Sequence, residues 1–118
     1  MTNGGSEANN VSLWWLAHEH KNRKEIVIGL PNYMQMWGLS KAFGLIRRSF
    51  WLTERNGRWA PDLESLKDVV PSDTLAVAIC NPNNPTGAVL CPDEMRAIVE
   101  IAQDAGALLL SDEVYRGA

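Results

Sequence analysis

Residues 75–80 read LAVAIC and residues 81–87 read NPNNPTG. The first stretch is continuously apolar, which is the pattern of a strand covered on both faces. The second is rich in Asn, Pro and Gly and predicts a turn at that strand's carboxyl end. A helix follows over about residues 92–105, with Pro92 at its first position and Asp93 and Glu94 in its first turn. Its apolar face is Met95, Ile98, Val99 and Ala102, and Gly106 ends it. Residues 107–111 (ALLLS) read as another buried strand, closed by Asp112. Strand, helix and strand in succession is the unit from which parallel sheets are built.

The alternation continues upstream. Residues 6–20 (SEANNVSLWWLAHEH) read as a helix with Ala8, Val11 and Trp15 on one face. Residues 25–29 (EIVIG) read as a short buried strand, broken by Leu30, Pro31 and Asn32. Residues 34–44 read as a helix closing at Gly44, and 47–53 (RRSFWLT) as a strand. Asn56-Gly57 marks a turn, and Leu63, Leu66 and Val69 give a short helix over 62–69. The expected fold is therefore α/β with a mainly parallel sheet. In such sheets ligands bind at the carboxyl ends of strands. The unusual residues fall there: the Asn-Pro stretch, Pro31-Asn32-Tyr33 and Asp112, with Gly4, Gly5 and Ser6 opening a helix.

Composition bounds the rest. The 118 residues are 46% hydrophobic and 21% charged, which fits one soluble globular domain at most. Net charge is −3 with scattered basic residues, so no basic stripe for nucleic acid is present. No apolar run approaches the ~20 residues of a membrane span. MTNGGSEANN lacks the parts of a signal peptide, and the expected location is the cytoplasm. Cys80 and Cys91 form no CxxC pair, and no histidine stands at metal-ligand spacing from them, so no metal site is expected. His18 and His20 read as solvated surface.

Three segments can carry chemistry. Glycines opening a helix let backbone N–H groups approach an anion, so Gly5, Ser6 and Glu7 are candidates to hold a phosphate; the plain alternative is a helix N-cap at Ser6. The asparagines of the Asn-Pro turn can aim amide donors at a ligand. Asp112 comes directly off a buried strand, where a carboxylate is costly unless it meets a positive partner. A protonated ring nitrogen is such a partner.

Taken in order, TNGGSEAN, LPNYMQ, NPNNPTG and SDEVYRG resemble the aminotransferase class I/II family of fold-type I pyridoxal phosphate (PLP) enzymes, over nearly the whole chain. The resemblance implies a three-layer α/β/α architecture, with residues 1–118 an incomplete part of the large, cofactor-binding domain, truncated at both ends. It implies pyridoxal 5'-phosphate as cofactor, with Gly5, Ser6 and Glu7 at the phosphate and Tyr33 stacked on the pyridine ring. Asn84 and Tyr115 match the residues that contact the ring hydroxyl oxygen, and Asp112 the one paired with the ring nitrogen. The implied activity is transfer of an amino group from an amino acid to a 2-oxo acid, by a homodimer when full length. Lyases and synthases share this scaffold, and a non-catalytic PLP-binding or interaction chain is the alternative of another class.

The family's Schiff-base lysine lies after the segment matching SDEVY, so the resemblance places it outside these residues, along with two arginines that bind phosphate and substrate. Lys41, in LSKAFG, imitates the lysine motif but stands before NPNNPTG, and reads as a solvated lysine at a helix end. Cys91 stands where the family usually has a Ser or Thr cap, a change expected to weaken the cap by ~1 kcal/mol. Five tryptophans are many for this length and suggest core or subunit interface. An unpaired sheet edge and uncovered apolar face would make the isolated chain sticky.

Overall fold

A computed structural model of the chain describes residues 1–117. The elements are α1 (Gly5–Glu19), β1 (Glu25–Leu30), α2 (Met34–Ala42), β2 (Ile46–Arg55), β3 (Arg58–Pro61), α3 (Leu63–Val69), β4 (Thr74–Cys80), α4 (Pro92–Asp104) and β5 (Leu108–Asp112). They form one sheet in the order β3-β2-β1-β4-β5. β1 runs parallel to β2 and to β4, and β4 parallel to β5; only the β2–β3 pair is antiparallel. This is the expected α/β fold.

Two apolar layers sandwich the sheet. Ile26, Ile28, Ala76 and Ala78 point to a core shared with Leu13, Leu16 and Ala17 of α1 and Met36 of α2. Val27, Val77 and Ile79 point the other way, against Leu66 of α3 and Ile98 and Ala102 of α4. Every residue of β4 is buried, as the unbroken apolar run Leu75–Cys80 requires. The connection from β1 leads to β2 on one side, and that from β4 leads to β5 on the other. Their helices accordingly lie on opposite faces. That reversal opens a crevice at the carboxyl ends of β1 and β4.

Several expectations need correction. Ala8, Val11 and Trp15 do share a face of α1, but the buried stripe is Asn9, Leu13, Leu16 and Ala17. The helix is apolar on more than one side, and the sheet covers only one. Val11 and Trp15 are 52% and 47% exposed and border an apolar groove of about 360 Å3 against Leu108–Leu110. Residues 107–111 were expected to be a buried strand, yet Leu108 is 44% exposed. β5 is an edge strand whose one neighbour among the described residues is β4. His18 is exposed as expected and stacks on Trp14, whereas His20 is half-buried, edge-on to Trp15, with Nε2 buried and without a partner. None of the tryptophans is fully buried.

β3 was not anticipated. Arg58–Pro61 is short and ends in proline, so it reads as loop until the Asn56-Gly57 turn folds it back on β2. Both turn residues have positive φ, 54° and 75°, as the tight hairpin turn needs. The hairpin delivers Arg58 to α4, where its guanidinium meets Glu94 through two bonds of 2.7 and 2.6 Å. Glu94 also accepts the Cys91 N–H at 2.8 Å. Cys91 is indeed the N-cap, and Glu94 supplies the half of the cap that the family's Ser or Thr would leave to it. At the other end of the sheet, Arg23 donates to the carbonyls of Thr74, Ala105 and Gly106 at 3.1, 3.3 and 2.6 Å. A cation there also suits the carboxyl end of α4.

Arg58 holds the Glu94 carboxyl down to about 2 from 4.5. A carboxyl whose pKa is lowered by folding adds stability above its unfolded value and loses it as pH falls through the folded one. Thermal unfolding of the parent and of Glu94→Gln should therefore differ above about pH 4.5 and converge as pH approaches about 2; a constant gap across that window would show that the ion pair is not the source. A second expectation concerns Gly29, where a Cβ would lie 2.8 Å from Phe50 Cζ. Gly29→Ala should cost about 1–3 kcal/mol in urea denaturation, and an unchanged midpoint would mean that Phe50 has room to move.

Candidate functional site

The carboxyl ends of β1, β4 and β5 meet the first turn of α1 at a cleft of about 190 Å3. Gly5, Ser6, Tyr33, Asn84, Asp112 and Tyr115, all singled out from sequence, line it; Gln35, Cys80 and Val114 complete the wall. Glu7 does not line it. Its carboxylate accepts the Asn3 N–H and ties down the segment before the helix. Lys41 is exposed in the last turn of α2 and is not part of the cleft.

Each side chain is set by its local fold. Gly4, not Ser6, is the N-cap of α1, with φ 82° and no side-chain cap bond. The first N–H groups of a helix lack intrahelical partners and carry a partial positive charge. The opening of α1 is therefore suited to an anion. Gly5 allows close approach: a Cβ there would lie 3.2 Å from Val114 Cγ2. Tyr33 is the N-cap of α2, its N–H held by Asn32 Oδ1 at 2.7 Å, and the residue is 55% exposed.

The Asn-Pro turn divides its amides between two tasks. Asn81 Oδ1 accepts the Leu90 N–H at 3.0 Å. Asn83 is 5% exposed and accepts from the Thr86 N–H and hydroxyl at 3.3 and 2.9 Å. Its Nδ2 donates to the Pro31 carbonyl at 3.1 Å, joining the loops after β1 and β4. Only Asn84 turns its side chain to the cleft, donating from Nδ2 to Tyr115 Oη at 3.0 Å. Two hydrogen-bonding groups from separate loops thus stand side by side.

Asp112 pairs with Cys80 across the ladder and sits where β5 ends. Its Oδ1 accepts the Val114 N–H at 3.0 Å and its Oδ2 accepts Asn9 Nδ2 at 2.7 Å. A carboxylate oxygen can accept more than one bond, so both retain capacity for a ligand. Cys80 donates its thiol to the Pro82 carbonyl at 3.1 Å, and burial pushes its pKa up. Its burial disfavours the thiolate that a nucleophile would need. Asn9 and Gln35 escaped the sequence reading. The available signal was Asn9 itself, a polar residue of low helix propensity inside a helix. Among the described residues no cluster of His, Cys, Asp or Glu is placed to hold a metal, and no helix is long and apolar enough to cross a membrane.

The family described as "Aminotransferase class I and II" matches residues 1–118. Glutamate-pyruvate aminotransferase AlaA of Haemophilus influenzae is 30% identical over 113 residues, covering 96% of this chain and 27% of that protein. Among solved structures, N-succinyldiaminopimelate aminotransferase from Mycobacterium tuberculosis superposes with a TM-score of 0.85 at 32% identity, over 96% of this chain and 29% of that one. A PLP-dependent aminotransferase from Streptococcus suis gives 0.82 at 36% identity, over 95% and 29%. The chain thus spans between a quarter and a third of the length of these relatives.

Asn83 is the tie between the two loops. Asn83→Ala removes three side-chain hydrogen bonds and, at about 1 kcal/mol for each, should lower the unfolding free energy by about 2–3 kcal/mol in urea titration. Hydrogen exchange at the Thr86 amide should quicken in parallel. Unchanged stability and exchange would show that the turn holds its shape without this side chain.

Proposed function

The chain belongs to the aminotransferase class I and II family, and on that footing we propose that it forms part of the large, cofactor-binding domain of a PLP-dependent aminotransferase. The reaction is transfer of an amino group from an amino acid to a 2-oxo acid. The observation that carries this reading is the meeting of Asp112, Tyr33, Asn84 and Tyr115 in one cleft at the opening of α1. These residues offer a flat aromatic ring, a carboxylate and two neutral hydrogen-bonding groups beside a helix N-terminus. That set matches, part for part, a phosphorylated pyridine ring with a hydroxyl oxygen.

When bound, PLP supplies a ring that accepts electrons from the substrate α-carbon. In this reading the N-terminus of α1, with Gly5 and Ser6, holds the phosphate, and Glu7 supports that loop through Asn3. The Asp112 carboxylate would favour a proton on the ring nitrogen, because a nearby negative charge favours the charged form. Asn84 and Tyr115 would meet the ring oxygen, and Tyr33 would stack on the ring. The lysine of covalent attachment and the two arginines of the family lie, on this reading, outside residues 1–118. The working protein is a cytoplasmic homodimer.

The test uses the full-length protein with PLP, an amino donor such as alanine or glutamate, and a 2-oxo acid acceptor. A new amino acid should appear in step with a new 2-oxo acid, and only when both substrates are present. Breakdown of one amino acid without an acceptor would replace this reading with a lyase on the same scaffold. Asp112→Asn should lower kcat by about a hundredfold or more, as expected when a group facing developing charge is lost. Unchanged turnover would remove Asp112 from its assigned place.

A further inference from the structure

We propose that Asn9, steadied by Gln35, is a positioning residue that fixes the plane of the Asp112 carboxylate for the ring nitrogen of the cofactor. The inference rests on the reading of the cleft given under Proposed function.

Asn9 lies on the buried stripe of α1 and is only 6% exposed. A leucine or alanine there would serve the packing of α1 on the sheet at least as well. Asparagine is a poor helix former, and its amide is costly to bury without partners. Its presence is explained by what the amide meets. Nδ2 donates to Asp112 Oδ2 at 2.7 Å and faces Gln35 Oε1 at 3.4 Å. Gln35 Nε2 in turn donates to the Ser6 carbonyl at 3.0 Å.

The direction of this chain of bonds is not free. A backbone carbonyl only accepts, so Gln35 must turn its nitrogen to Ser6 and its oxygen to Asn9. An ionised carboxylate also only accepts, so Asn9 must turn its nitrogen to Asp112. Both amides are thereby locked in one orientation. The network ties the first turn of α2 to α1 and both to the end of β5.

The consequence falls on Asp112. The terminal torsion of an aspartate is broad and roughly two-fold, so a carboxylate held at one oxygen can swing. The Val114 N–H holds Oδ1; Asn9 holds Oδ2 and stops the swing. A charge-assisted bond to a ring N–H is strong only when acceptor and donor are aligned. Asn9 therefore acts on the cofactor through Asp112, with no contact of its own required.

The experiment measures cofactor affinity, not turnover, in the full-length protein. PLP is titrated against the apoprotein alongside a carbocyclic analogue in which carbon replaces the ring nitrogen. The parent should prefer PLP. Asn9→Leu should weaken PLP by about tenfold, the effect of losing one hydrogen bond to a charged group, with little change for the analogue. Gln35→Leu should move the preference the same way by less. Asp112→Asn should abolish the preference, and Asn9→Leu added to it should change nothing further. If Asn9→Leu does not fold, Asn9→Ser, which keeps a donor on a shorter arm, should give an intermediate loss in the same comparison.

Equal weakening of both ligands by the Asn9 variants would mean a packing role and overturn the proposal. So would an unaltered preference in those variants while Asp112→Asn abolishes it, and the reading of the cleft would then stand. If Asp112→Asn keeps the preference, the cleft reading itself fails and this inference falls with it.

Discussion

The parallel pairing of β1 with β4 at the centre of the sheet is the constraint on which the molecule is built. β4 is buried along its whole length, and the middle of β1 is buried as well. A strand covered on both faces has no position along it where a polar side chain can reach solvent. Chemistry is therefore confined to its ends. Because the chain leaves β1 for one side of the sheet and β4 for the other, the loops after these strands diverge. The crevice between them is a product of strand order. The Asn83 bridge to Pro31 then sets how far they diverge.

Around that crevice, polar groups fall into two kinds. Asn81 and Asn83 bond to backbone and hold the turn in shape. Asn84, Tyr115 and Asp112 line the cleft. The first kind keeps the second in place, since a side chain on a loop is no better located than the loop itself. The carboxyl end of β5 is braced by backbone too, with the Asn81 N–H donating to the Asp112 carbonyl at 2.8 Å. The site thus rests on hydrogen bonds that a ligand never needs to touch.

How much of this was readable depended on whether a signal was local. β4 and α4 were legible because their cues are self-contained: an unbroken apolar run, and a helix with Pro92 at its start, one apolar stripe and Gly106 at its end. The buried face of α1 was not, because Val11, Trp14, Trp15 and Leu16 offer apolar surface on several sides and only the sheet decides which is covered. The exposure of β5 was missed for a related reason, since a strand's neighbours are a property of topology. In the cleft, Asp112, Asn84 and Tyr115 were legible from contiguous motifs. Asn9 and Gln35 were not, because each stands inside a helix and takes its meaning from partners far away in sequence.

That separation has a bearing on how the fold and its ligand depend on one another. Asn9 and Asp112 are 103 residues apart along the chain, yet bond directly. Closing so long a loop carries a large entropic cost. The cleft can exist only once the strands between its two halves have assembled. A molecule that fills it therefore favours the state in which both halves are in place. Binding then adds to stability by mass action, by RT ln(1 + [L]/Kd). A molecule bound there would thus stabilise the sheet as a whole and not one loop of it, because the two halves of its site are held together by every strand that lies between them.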